Sequence, residues 1–129
     1  MPESDTPLRQ IGLPSPAEHY IEQPLDLNRL LVPRPAATFF LRAEGSAMAA
    51  DGIRDGDILV VDRSLPPATG RIVVAHVGGE LLMRCLVQRD GRAVLAASDP
   101  AIPVLDCADL GDAFEYFGTV TAIVHQERA

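Results

Sequence analysis

Few residues in this 129-residue chain have side chains that can do chemistry, and their spacing narrows what they can do. His19, His76 and His125 are scattered, and neither they nor Cys85 and Cys107 fall into C-x-x-C or H-x-x-x-H pairs. Zinc-ligand spacing is therefore missing, and neither a metal nor a cofactor is expected. The chain has no phosphate-cradling glycine loop, no G-x-G-x-x-G and no G-x-S-x-G elbow. Its eleven basic residues are all arginine. That matters because a serine hydroxyl is a weak nucleophile that needs a base, and a lysine neutralised by burial is one such base. A guanidinium keeps its proton and cannot serve. The segment with the most chemical interest is Gly45-Ser46-Ala47-Met48, followed by the turn Asp55-Gly56-Asp57.

The elements that must position these residues read as strands. Patterns over 38–42, 58–61, 72–77, 80–87, 93–95 and 114–124 are apolar or alternating, with Gly, Asp and Pro turns between them. Gly78-Gly79 is a two-residue hairpin signal. It places Val77 opposite Glu80, His76 opposite Leu81 and Val73 opposite Arg84, so His76 lies on the other sheet face from Arg84 and reads as a surface or edge histidine. The fold class is mainly β, a small curled sheet or barrel-like domain over 37–129. Residues 1–36 read as an extended N-terminal arm with short helices. One, over 16–21, follows the capping box at Ser15-Pro16-Ala17-Glu18; another is capped by Asp26 and ended by Pro33 and Pro35. Charged residues make up 22% and apolar residues 47%, which fits a globular domain. No apolar run is long enough to span a bilayer and no secretory signal opens the chain, so a cytoplasmic protein with reduced thiols is expected. A net charge of −7 argues against direct DNA binding.

The order and spacing of these segments closely resemble the LexA/UmuD family of Ser–Lys self-cleaving proteins of the bacterial SOS response, nearest to its UmuD branch. The resemblance rests on Gly45-Ser46-Ala47-Met48, on Asp55-Gly56-Asp57 running into Ile58-Leu59-Val60-Val61-Asp62, on residues 13–23, on residues 25–31 and on Ala37-Thr38-Phe39-Phe40. It covers the chain from about Gly12 to the last strand. It implies the family's peptidase fold, with the nucleophile ahead of Met48 and the lysine on the strand after Gly78-Gly79.

This chain departs from the pattern at both places. Ala47 stands where the family carries the nucleophilic serine, and Arg84 where it carries the lysine. With no lysine in the chain, no Ser–Lys dyad can form. The neighbouring Ser46 is displaced by one residue and reads as a backbone hydrogen-bonding side chain. Arg84 reads as a filler of the old lysine slot, reaching solvent or pairing with Glu44 or Asp62. The former cleavage site falls at Ile11-Gly12, where a β-branched Ile11 fits a small-residue position poorly. A pseudo-peptidase is the expectation, and its cleft can persist as a peptide groove because strand addition needs backbone edges rather than Ser or Lys.

What the resemblance implies for function is a UmuD′-like accessory subunit of a UmuC-type Y-family translesion polymerase, acting as a homodimer. Its dimer candidates are Phe117, Gly118, Val120 and Ile123 on the last strand. Two alternatives stand beside it. One is a regulatory pseudo-protease that pairs with an active UmuD/LexA paralogue or occupies RecA filaments. The other is an active self-cleaving peptidase.

Overall fold

The structure, a computed structural model, describes residues 7, 8 and 25–127. The helix expected over 16–21 and the Ile11-Gly12 site lie outside these residues. Within the first compact unit, residues 1–33, Asp26 caps helix α1 (Leu27–Leu31) by accepting from the backbone N–H groups of Asn28 and Arg29. This is the capped turn that the sequence predicts.

The second unit, residues 34–129, is built on one antiparallel sheet. Its strands are β1 (Thr38–Arg42), β2 (Ile58–Asp62), β3 (Ile72–Val77), β4 (Glu80–Arg89), β5 (Arg92–Ala96), β6 (Leu105–Asp106) and β7 (Phe114–Val124). They lie in the order β1-β2-β7-β3-β4-β5-β6. The expected mainly-β class is what forms, but the sheet is not closed: among the described residues β1 and β6 are its edges. The β3–β4 hairpin turns at Gly78-Gly79 in the expected register, with Val73 opposite Arg84 and His76 opposite Leu81. Both glycines have positive φ, which suits a tight hairpin turn. The two-residue β6 and the following helix α2 (Cys107–Leu110), capped by Asp106, carry too few residues to show a period and are absent from the sequence reading.

Strand β7 sits between β2 and β3 and shifts register against each, between Val60 and Val61 on one side and between Val74 and Ala75 on the other. Such bulges re-aim side chains along one strand. The buried residues form two clusters. Ala43, Met48, Ile53, Leu59, Val61, Val74, Met83 and Val120 make one, and Val73, Ala75 and Leu95 make the other. Strand β3 feeds Val74 to one and Val73 and Ala75 to the other, as alternation requires of a strand covered on both faces.

The central place of β7 sets the surroundings of the four dimer candidates within the chain. Val120 is buried in the core and Gly118 is buried against β2, where an added Cβ would sit 2.6 Å from a Val61 methyl. Phe117 is half-buried, with the Arg63 guanidinium carbon 4.3 Å from its ring centroid and Phe39 edge-on to it. Only Ile123 presents an exposed apolar side chain. The alternation of the last strand is explained by the chain's own core.

Candidate functional site

The segment 45–57 is held as a unit by backbone and carboxylate bonds, and this explains the spacing between its two motifs. Gly45, at φ +83°, donates its N–H to the Asp55 carboxylate at 2.7 Å. Gly56 donates to the Ala43 carbonyl and accepts from Arg42, each at 2.8 Å, so the turn grips the end of β1. Asp57 is buried and accepts from the Arg54 N–H at 2.9 Å and from His125 Nδ1 at 2.7 Å. The Arg54 backbone donor, and then His125, hold the Asp57 carboxyl below the usual carboxylate range. His125, which the sequence shows only as a scattered histidine, thus pins the end of β7 to the turn.

Met48 fixes the other end. It is fully buried, and its carbonyl accepts from Asp51 and Ile53 as the chain winds through a 3-10 turn (Ala49–Asp51) to Gly52 at φ +88°. Its neighbour Ala47 has its carbonyl held by the Ser98 N–H at 3.0 Å and the Ser98 hydroxyl at 3.1 Å. Ala47 therefore faces a defined place, a cleft of about 520 Å³ whose lining also includes Leu41, Glu44, Met83 and Arg84. The fold brings the two departing positions, Ala47 and Arg84, to one cavity. Ser46 is exposed and does not line it.

The surroundings of Arg84 differ from expectation. Asp62 is taken by Arg34 Nε at 2.6 Å and by the Ser64 hydroxyl at 2.6 Å, and the Ser64 hydroxyl leads in holding its carboxyl low. Glu44 lines the cleft without an ion pair to Arg84 among the described residues. Instead Arg84 Nη1 donates to the Met83 carbonyl at 2.7 Å, and Arg84 Nε is buried with no acceptor among the described residues. Burial pulls the guanidinium pKa below its ordinary value, yet it remains a cation and no base.

Among the described residues, neither Cys85 nor His76 is set as a nucleophile or base at the cleft. Burial, and then Asp51, push the Cys85 thiol up, away from the thiolate form a nucleophile needs. His76 does not line the cleft; it is half-buried on interior strand β3, edge-on to Phe117 at 5.8 Å, so it is no edge histidine. Among the described residues no group of three or more His, Cys, Asp or Glu gathers to hold a metal ion. No helix among them is long and apolar enough to cross a membrane.

The glycine-led turn thus stands across a cleft from the hairpin strand β4, on a single antiparallel sheet. The chain belongs to the Peptidase S24-like family, whose model matches residues 8–121. It is 44% identical over 120 residues to Protein ImpA of Salmonella typhimurium, covering 92% of this chain and 80% of that protein. It is 42% identical over 110 residues to Protein MucA of Escherichia coli, covering 85% and 75%. It is 33% identical over 115 residues to LexA repressor 1 of Nocardia farcinica, covering 89% of this chain and 51% of the repressor. The LexA/UmuD resemblance read from the motifs is borne out.

Proposed function

We propose that this chain is a non-cleaving, UmuD′-like accessory protein of the SOS response, a cytoplasmic homodimer that joins a UmuC-type Y-family polymerase during translesion synthesis. The observation that carries the reading is the pair at the cleft. Ala47 has no hydroxyl, Arg84 cannot take a proton, and the chain has no lysine to replace it. The negative charge of the chain supports leaving DNA contact to the polymerase.

Two measurements test it. Intact mass is followed through alkaline incubation and through incubation with RecA, single-stranded DNA and nucleotide. The mass is expected to stay unchanged, in the native chain and in Ala47→Ser, because the hydroxyl would still lack a base. A fragment beginning near Gly12 would overturn the inactive reading. The tagged chain is then co-expressed with the UmuC-type polymerase of the same genome, and light scattering is expected to show two copies per polymerase. No such complex, with heterodimers on a catalytically intact paralogue instead, would transfer the assignment to the regulatory pseudo-protease.

A further inference from the structure

We propose that Asp57 and His125 form a proton-operated latch. When the imidazole takes up a proton, it clamps the end of β7 onto the turn segment that carries Ala47, and when it gives the proton up the segment loosens. This goes beyond the accessory role above and does not depend on whether the cleft cuts.

The end of β7 is where such a tie acts. Its pairing with β3 stops at Thr119, so among the described residues 120–124 are paired with β2 alone. Just past the strand, His125 Nδ1 meets Asp57 Oδ1 at 2.7 Å, across 68 residues of sequence. Asp57 is bonded to the turn through every polar group it has. Its other carboxylate oxygen accepts from the Arg54 N–H, its own N–H donates to the Arg54 carbonyl at 3.0 Å, and its carbonyl accepts from the Ala43 N–H at 2.8 Å. The two preceding residues carry the same network onward. Gly56 holds Ala43 and Arg42, and Asp55 holds the Gly45 N–H, two residues ahead of Ala47. A change in how firmly His125 holds Asp57 therefore reaches both ends of segment 45–57 through hydrogen bonds.

The pair is built unequally. The Asp57 side chain is 2% exposed, whereas that of His125 is 41% exposed and can exchange protons with water. The Arg54 backbone N–H, and then His125, hold the Asp57 carboxyl low, which keeps it an anion near neutrality. Glu127 on the same tail brings a carboxylate oxygen to 3.8 Å from His125 Nε2. The turn faces the pair with Arg54 and Asp55, the latter already bonded to Gly45, and β1 with Arg42, already bonded to the Gly56 carbonyl. Carboxylates and guanidinium groups do not ordinarily change charge between about pH 5.5 and 7.5, and imidazole does. A neutral ring donates an ordinary hydrogen bond to Asp57, and a protonated ring donates a charge-assisted one, about twice as strong. The added hold is thus present on the acidic side of the ordinary imidazole range and is lost as pH rises through it.

The test uses the full ¹⁵N-labelled chain. Hydrogen exchange is read at the Gly45 and Gly56 amides and divided by the intrinsic rate at each pH. Their protection is expected to fall about fivefold between pH 5.5 and 7.5, the difference between a charge-assisted and a neutral bond, in step with the His125 ring signals. His125→Gln keeps a donor without a titrating group, so its protection should stay level, while His76→Gln should keep the full fall. Level protection in the native chain, or an equal fall in His125→Gln, would overturn the proposal. Should His125→Gln fail to fold, the native chain still decides: amide and His125 ring midpoints that differ, or amides that follow the His76 ring instead, would overturn it. A chain that cuts itself sinks the preceding reading and leaves the latch standing. Level protection in an intact chain sinks only the latch.

Discussion

At Asp57 a backbone N–H and a histidine converge on one buried carboxylate, and this makes a prediction about acid. Its carboxyl is held low in the folded chain, so the ionised form favours folding above the ordinary carboxylate pKa of about 4. That contribution is lost as pH falls through the lower folded value. The melting temperature is expected to fall on acidification through this range. In Asp57→Asn the fall should be shallower, and the variant should melt lower at neutral pH. Thermal melts across the acid range check both; parallel curves for the two proteins would refute the assignment. Arg84 works the opposite way at this scale. A charge was legible from its residue type, but its lack of an acidic partner among the described residues was not, because Asp62 turned out to be committed to Arg34 and Ser64.

Among the elements, β7 is the most constrained. It is hydrogen-bonded on both sides, with a register shift against each neighbour. Gly118 sits where it passes β2, and a methyl group there would lie 2.6 Å from Val61 and 3.2 Å from the Asp62 carbonyl. Backbone on that side cannot step aside cheaply, since β3 holds β7 from the other. Gly118→Ala is expected to lower stability by about 1–3 kcal/mol, the usual range for overpacking. A urea denaturation with a lower midpoint and an unchanged slope would show it, and an unchanged midpoint would mean β2 can yield. The short turn from Met48 to Gly52 is the other constrained element. It anchors a fully buried methionine so that the preceding residue faces the cleft.

For the whole molecule, the question is which face a second copy can use. Val120 belongs to the core and Ile123 to the surface, although they share a strand and an apolar character. Val120→Asp is therefore expected to lose the folded far-ultraviolet signal altogether, because it buries an unpaired charge. Ile123→Asp should keep that signal, and if the homodimer forms through this face, light scattering should report a monomer. A folded dimer with Ile123→Asp would move the interface elsewhere. The strands other than β6, the β3–β4 register, the Asp26 cap and the resemblance to the LexA/UmuD family were legible in the residues. They depend on local period, turn chemistry and motif spacing, which are properties of neighbours in the chain. The bulges of β7, the burial of Gly118 and Val120, the His125–Asp57 pair and the meeting of Ala47 with Arg84 at one cleft were decided by tertiary structure. Each joins residues far apart in sequence, and only the curl and register of the whole sheet determine which of them touch.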